Sequence, residues 1–192
     1  MTSRRHFLRV GCLTILGLIL PVSSVHAAAE IRQVSLNPTE DTWVLNSAFG
    51  LQLSASLTDA VNHGIPLVFQ IQSQIRRPRW YWVDEALFSG HADRRLTYNA
   101  LVRNYRVTEG QDGRNFQSLQ DALDYVARPV SWTVPGGRLR AGEPVEILVR
   151  FRLDPAFLPK PFQVVSFGDR DWRLDSDWRT TRLNVPIMMG AK

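Results

Sequence analysis

The stretch Val145-Glu-Ile-Leu-Val-Arg-Phe-Arg-Leu153 decides the fold class of this chain of 192 residues, because apolar side chains occupy every second position in it. That period predicts a β-strand with one buried face and one face in water. The same alternation recurs over residues 49–57, 67–75 and 183–187. Strands of this kind are typical of antiparallel sheets that are open to water on one side.

Further strands follow from aromatic content and from parity. Residues 80–88 are rich in aromatic and β-prone side chains and predict a strand. The apolar face changes parity between Leu96 and Val107, which predicts a β-bulge near Arg103. A first short hairpin is predicted around Asn37-Pro38, because turn residues there separate two β-prone runs.

Helix is predicted in only two places. Residues 118–128 carry apolar side chains at helical spacing, and Ser118 can cap the first turn. Residues 58–64 predict one or two helical turns that Gly64 ends. The sequence therefore predicts a mainly all-β fold, an antiparallel, immunoglobulin-like β-sandwich with one short helix near residues 118–128. A half-open β-barrel is the alternative.

The start of the chain has the pattern of a secretory signal peptide. Arg4-Arg5 opens a basic segment, and residues 10–20 form an uncharged apolar run too short to cross a bilayer. Val25-His26-Ala27 fits the small-x-small pattern of a cleavage site. We therefore expect residues 1–27 to be a signal peptide that is cleaved after Ala27 to Ala29, so that the protein is periplasmic.

The export route stays open at the level of sequence. The two adjacent arginines resemble a twin-arginine signal, whereas the leucine-rich apolar run favours the general secretory route. Residues 30–190 are expected to form a single β-sandwich domain. We expect contact with a membrane only through an uncleaved leader.

Charge and cysteine content exclude several classes of function. Three of the 23 basic residues and none of the 18 acidic residues lie in the leader, which leaves the mature chain with a net charge of only about +2. A nucleic-acid-binding protein should keep a concentrated basic surplus, so no nucleic-acid partner is predicted. Cys12, the one cysteine, also lies in the leader. The mature chain is therefore expected to lack disulfides, a thiolate nucleophile and any cysteine-based metal or cofactor site.

Several long motifs of the chain form a recognisable set. They are Gly64-Ile-Pro-Leu67, Arg77-Pro-Arg-Trp-Tyr-Trp82, Leu96-Thr-Tyr-Asn-Ala-Leu101, Tyr105-Arg-Val107, Leu158-Pro-Lys-Pro161 and Arg170-Asp-Trp-Arg-Leu-Asp-Ser-Asp-Trp178. Together they resemble the exported proteobacterial proteins grouped as domain of unknown function 4390 (DUF4390), also called proline-rich signal-peptide proteins. The resemblance implies an envelope location. It also implies an association with nitrogen-regulation-type sensor kinases, but it transfers no reaction and no site residue.

The first candidate binding segment lies within residues 76–82. If the segment is a strand, Trp80 and Trp82 share one face, and Arg79 and Tyr81 share the other. One interpretation is an aromatic platform with an arginine that stacks on a sugar ring or holds an anion. The other is that the two tryptophans fill the core of the sandwich while the arginine covers them.

The second candidate segment is rich in aspartate and tryptophan. Its candidate residues are Asp171, Trp172, Asp175, Asp177 and Trp178. Several carboxylates in a short loop could suit Ca²⁺, but arginines are interleaved among them, and the spacing of an EF-hand is absent. The pattern therefore predicts arginine–aspartate pairing across a loop and no metal site, with a ligand-binding rim as an alternative.

The remaining acids and histidines give no catalytic pattern. Asp84 and Glu85 are adjacent, so on a strand they would point to opposite faces. His63 and His91 are the only histidines after the leader, and both lie beside turn glycines. The chain contains no Gly-x-Ser-x-Gly, His-Glu-x-x-His or phosphate-loop motif. No catalytic residue and no cofactor is predicted.

These observations favour an exported, non-enzymatic envelope protein that binds a partner protein or an envelope ligand. A sensor kinase is one such partner, since the family resemblance implies a signalling context. The alternative function is a cell-wall-directed hydrolase that uses scattered carboxylates brought together by the fold. The sequence predicts no oligomeric state.

Overall fold

Nine strands and three α-helices make up the described part of the chain, which in this computed structural model is residues 27–39, 41–81 and 83–187. In chain order the elements are β1 (Ala28–Pro38), β2 (Thr42–Gln52), α1 (Ala55–Asn62), β3 (Leu67–Arg77), β4 (Glu85–Asn99), β5 (Asn104–Glu109), β6 (Asp112–Phe116), α2 (Leu119–Val126), β7 (Val130–Pro135), β8 (Pro144–Leu153), α3 (Lys160–Gly168) and β9 (Arg179–Asn184). Short 3-10 turns occur at Gly136–Arg138, Pro155–Phe157 and Arg170–Trp172.

The described strands form two antiparallel sheets. The larger sheet has six strands in the order β6-β5-β4-β3-β8-β9, and the smaller has three in the order β1-β2-β7. The predicted mainly-β, antiparallel sandwich is confirmed, and the described strands do not close into a barrel.

One apolar core fills the space between the two sheets. Trp43 and Leu45 of β2 are buried in it, and Phe49 of the same strand meets Phe151 of β8 with 5.2 Å between ring centroids. Phe151 also contacts Phe69 of β3 at 5.7 Å. Burial of a side chain of this size stabilises the fold by roughly 1.5–3 kcal/mol. The alternate apolar residues that predicted β8 are therefore the residues of that strand that pack in this core.

The pairing of β3 with β8 defines two ends of the molecule. Where β3 finishes, Arg76 lies opposite Glu146 near the start of β8. Where β8 finishes, Leu153 lies opposite Phe69 near the start of β3. β8 has ten residues, so the two ends are separated by roughly 30 Å at about 3.3 Å per residue.

Capping serines start two of the helices. The predicted helix near residues 118–128 is confirmed as α2, and Ser118 accepts a hydrogen bond from the Asp121 amide at 3.1 Å. α1 starts in the same way at Ser54. No helix within the described ranges combines the length and apolar character needed to cross a membrane.

Several predicted boundaries are wrong. The alternation over residues 49–57 does not continue as a strand, because β2 ends at Gln52 and Leu57 belongs to α1. The predicted bulge near Arg103 is instead a hairpin turn, in which Arg103 has a positive φ of 48°. The predicted strand over residues 80–88 begins only at Glu85. The elements β6, β7 and α3 were not predicted.

Candidate functional site

An exposed aromatic loop joins β3 to β4. It lies at the end of the molecule where β8 starts. We call residues 78–81 and 83–84 the aromatic loop. The Trp80 side chain is 95% exposed and Tyr81 is 65% exposed, and their rings meet edge to face at 5.3 Å. Val83 is also exposed. The structure therefore places Trp80 in water instead of in the core, and the predicted partner Trp82 lies outside the described residues.

The loop departs from the predicted strand for a local reason. Pro78 follows the last residue of β3, and proline has no amide hydrogen to continue a ladder. The Arg79 amide is instead bound by the Asp84 carboxylate at 3.3 Å, across the loop. The loop thus closes on itself, and its Trp80 and Tyr81 side chains are exposed to water.

Two arginines and two glutamates fix the base of the loop. Arg77 donates to Glu85 at 2.6 Å and to both oxygens of Glu143, at 2.8 and 3.2 Å. Arg79 also donates to Glu85. The hydrogen bond from Arg77, joined by that from Arg79, holds the pKa of Glu85 below its ordinary value against the opposing effect of burial. Glu85 is therefore an ionised structural anchor.

A shallow hollow of about 340 Å³ lies beside the loop. Val83 and Phe88 supply apolar surface to it, and Gln74 and Arg76 supply polar groups. Arg76 donates twice to the Gln74 side-chain oxygen, at 2.6 and 3.1 Å. The loop and this hollow together form a surface with a protruding aromatic pair and an adjacent recess.

The segment rich in aspartate and tryptophan lies near the other end of β8. Asp175 accepts a bidentate pair of hydrogen bonds from Arg150 of β8, so the predicted arginine–aspartate pairing is present. Its partner, however, comes from the sheet and is none of the interleaved arginines. Arg150 also lies 5.9 Å from the ring centroid of Trp178, which is partly exposed. Asp177 has a positive φ of 54°, and its amide donates to Asp175.

Neighbouring residues of this segment have structural roles. Trp172 is half-buried and stacks on Phe162 of α3 at 5.0 Å. The main-chain carbonyl of Asp171 accepts a hydrogen bond from Ser54, and the Asp169 side chain caps the turn Arg170–Trp172. The two candidate segments are therefore not brought together, because they lie near opposite ends of β8.

The acids and histidines of the described chain do not gather into a metal-binding cluster of three or more. The His63 ring is exposed at the end of α1, 2.8 Å from the Asp59 carbonyl oxygen. His91 is exposed on β4, 3.1 Å from the Asp93 carboxylate. Each histidine therefore lies close to an aspartate that is near it in the chain.

Sequence reasoning missed a buried arginine in β4. Arg94 is only 1% exposed and donates to the Val126 and Arg128 carbonyls, at 2.6 and 2.7 Å, and to Glu109 at 3.2 Å. A signal was available, because Arg94 shares the parity of the core residue Leu96. Its contacts join the larger sheet to the end of α2, which is a structural role.

Burial by itself raises the pKa of Glu109, yet the hydrogen bond from Arg128 and the charge of Arg94 outweigh burial and set that pKa below its ordinary value. The Arg128 guanidinium also lies 4.0 Å from the ring centroid of Tyr125. These contacts form a second ionic cluster, remote from the aromatic loop.

Comparison with known proteins gives a family. The family described as Domain of unknown function (DUF4390) matches residues 26–182, which is most of the chain. The chain therefore belongs to this family, as the motif resemblance predicted. No curated protein and no solved structure was found to match it.

Proposed function

We propose that this DUF4390 protein is a non-enzymatic binding protein of the bacterial envelope that contacts a partner protein through its aromatic loop. The observation that carries the proposal is the nearly complete exposure of Trp80, with Tyr81 and Val83 exposed beside it. Isolated exposed apolar residues are ordinary, but a cluster that contains a tryptophan at a loop tip is typical of an interaction site.

The composition of the loop suits a protein interface. Tryptophan, tyrosine and arginine are the residue types that supply most binding energy at interfaces, and all three occur between Arg79 and Tyr81. Removal of about 150–250 Å² of aromatic surface from water at about 25 cal/mol per Å² is worth roughly 4–6 kcal/mol before the costs of association.

The ion pairs at the base of the loop favour binding, because they hold the loop in place before a partner arrives. Arg77 joins Glu85 to Glu143, which precedes β8, so both edges of the loop are tied to neighbouring strands. A pre-ordered loop loses less conformational entropy when it binds. Because the aromatic pair protrudes, the expected partner is a protein with an apolar cavity that receives Trp80.

The envelope location rests on the leader pattern of residues 1–27 and on the family resemblance. An exported protein should be recovered without its leader, so N-terminal sequencing of the purified protein from cells should start between residues 28 and 30. Recovery of the protein with Met1 intact from the cytoplasm would contradict the location.

The partner can be tested by site-directed crosslinking from the loop. A photoreactive residue at position 83 should capture one protein in periplasmic extracts, and Trp80→Ala should abolish the capture because it removes the main anchor. Leu101→Ala is the matched control, because Leu101 is also 95% exposed but lies in the β4–β5 turn. Unchanged capture by the Trp80→Ala variant would refute the loop as the contact surface.

A lipid surface is the competing occupant of an exposed aromatic loop. Vesicles of phosphatidylethanolamine and phosphatidylglycerol should not sediment the leaderless protein if the partner is a protein. Co-sedimentation that Trp80→Ala removes and Leu101→Ala leaves intact would replace the protein partner with a membrane.

A further inference from the structure

A second hollow, of about 290 Å³, opens near the end of β8, remote from the aromatic loop. Its walls come from the last residues of β8, from α3 and from the segment around Trp172. The residues that line it include Arg152, Pro155, Trp172, Arg173, Leu174 and Asp175. The volume is near the lower limit for ligand pockets in proteins, so it suits a small molecule.

Buried polar groups hold Arg152 in this hollow. Its Nε and Nη2 atoms both donate to the Gln70 side-chain oxygen, at 3.1 and 2.8 Å. The Gln70 nitrogen donates in turn to the Asp154 carboxylate at 2.5 Å, and Gln70 and Asp154 are each only 9% exposed. A buried polar side chain destabilises the fold unless its hydrogen bonds are satisfied. Here the bonds from Arg152 to Gln70 and from Gln70 to Asp154 satisfy these groups, and they also fix the orientation of the guanidinium.

The charge of Arg152 is not neutralised by a direct ion pair with any described acid, since its anchor is a neutral amide. Its Nη1 atom makes no hydrogen bond to a described residue. Asp175 also lines the hollow, but Arg150 binds both of its carboxylate oxygens. Arg173 also lines the hollow, and it donates to the Ser166 carbonyl. The hollow therefore favours an anion.

The rest of the lining is largely apolar. Pro155 and Leu174 supply aliphatic surface, and Trp172 supplies an aromatic side chain whose position is fixed by its contact with Phe162. We infer that this hollow binds a small organic carboxylate, with the carboxylate on the Arg152 guanidinium and the apolar body against Trp172 and Pro155. A guanidinium matches the geometry of a carboxylate, and an apolar wall favours an organic anion over a bare inorganic one.

Benzoate is a suitable probe, since it has one carboxylate and one flat apolar ring. Isothermal titration of benzoate into the leaderless protein should detect saturable binding at millimolar or lower concentration. Arg152→Met should weaken that binding at least tenfold, because it removes the charge but keeps most of the stem. Arg138→Met is the matched control, because Arg138 is exposed in the 3-10 turn after β7 and does not line the hollow, and this variant should change the affinity less than twofold.

Two further ligands test the contact with the carboxylate and the contact with the apolar wall separately. Benzamide has the same shape without the charge and should bind at least tenfold more weakly than benzoate. Inorganic phosphate should displace benzoate only at much higher concentration, because it cannot use the apolar wall. Equal binding of benzamide, equal displacement by phosphate, or no saturable binding of benzoate to the wild-type protein would each overturn the assignment. If Arg152→Met does not fold, the comparison of benzoate with benzamide on the wild-type protein decides.

Discussion

At the scale of single residues, Arg94 shows how a charge can be kept inside this protein. Burial lowers the pKa of Arg94, but a guanidinium stays protonated under all ordinary conditions, so its charge needs partners. Glu109 supplies the counter-charge, and two main-chain carbonyls near the end of α2 accept further hydrogen bonds from the guanidinium. Such a group stabilises the fold only while all of its partners are present.

Replacement of Arg94 by methionine should therefore destabilise the protein. The variant keeps the apolar stem but leaves the Val126 and Arg128 carbonyls and part of Glu109 without their donor, and we expect the free energy of unfolding to fall by about 3 kcal/mol. Urea denaturation followed by tryptophan fluorescence measures this loss. The control Arg138→Met, at an exposed position, should change it by less than about 0.5 kcal/mol. A loss below about 1 kcal/mol for Arg94→Met would contradict the role assigned to Arg94.

Glu109 gives the protein a specific dependence on pH. Its pKa in the folded state lies below the ordinary value of 4.5, so near that pH the unfolded chain binds more protons than the folded one. The stabilisation from Glu109 is complete above about pH 4.5 to 5 and is lost as the pH falls through the lower, folded-state pKa.

Replacement of Glu109 by glutamine should lower the free energy of unfolding at pH 7. It should also make the fall of that free energy at acidic pH less steep. Unfolding free energies measured from about pH 7 to about pH 3 would show a shallower slope in the variant than in the wild-type protein. Glu30→Gln is a suitable control, because Glu30 is exposed and makes no ion pair with a described residue. Parallel pH curves for Glu109→Gln and the wild-type protein would show that the ionic cluster is not the acid-sensitive element.

At the scale of secondary structure elements, two capping serines differ in what else they hold. Ser118 is exposed and caps only α2. Ser54 is buried, accepts from the Leu57 amide at 3.1 Å and also donates to the Asp171 carbonyl at 2.5 Å. Ser54 therefore joins α1 to a segment 117 residues later in the chain.

Alanine substitution should separate the two roles. Ser118→Ala loses one cap and should cost about 1 kcal/mol. Ser54→Ala loses a cap and leaves the partly buried Asp171 carbonyl without that donor, so we expect a loss of about 2–3 kcal/mol. Thermal unfolding monitored by circular dichroism would rank them, and equal losses would mean that the bond from Ser54 to Asp171 adds nothing to stability.

The elements that the sequence predicted correctly are those whose pattern is long. Over β8, five alternate residues from Val145 to Leu153 are buried, and no helix fits that spacing. The alternation at residues 53–57 spans only three apolar positions, which a helix capped at Ser54 satisfies equally well with Leu57, Ala60 and Val61 buried. A short apolar run cannot distinguish a strand from a helix, so the predicted boundary between β2 and α1 was wrong.

The aromatic loop was misread for a different reason. Aromatic side chains have high β propensity because they usually pack on a half-buried sheet, and that average placed residues 80–84 in a strand. Propensity carries no information about whether packing partners exist. Here Pro78 ends the ladder, and the ion pairs of Arg77 and Arg79 replace it. Arg77 also binds Glu143, 66 residues later in the chain, and no local pattern shows that contact.

At the scale of the whole molecule, sheet order controls which candidate residues meet. β3 and β8 are far apart in the chain, yet they pair along most of their length inside the larger sheet. Periodicity predicts that each is a strand but not that they are neighbours. Consequently the sequence predicted both candidate segments, but not that they lie near opposite ends of β8, nor that Gln70 and Asp154 orient Arg152.

The separation of the two ends leads to a prediction about the proposed sites together. Groups more than about 7–10 Å apart without shared partners usually act additively, and these sites are separated by roughly 30 Å. We therefore expect Trp80→Ala to abolish partner capture without changing benzoate affinity, and Arg152→Met to do the reverse. In the double variant, the change in unfolding free energy should equal that of the single variants together within about 0.5 kcal/mol. If benzoate changed the yield of crosslinking from position 83 in the wild-type protein, the two ends would be coupled, and β8, which runs between them, would be the element through which that coupling acts.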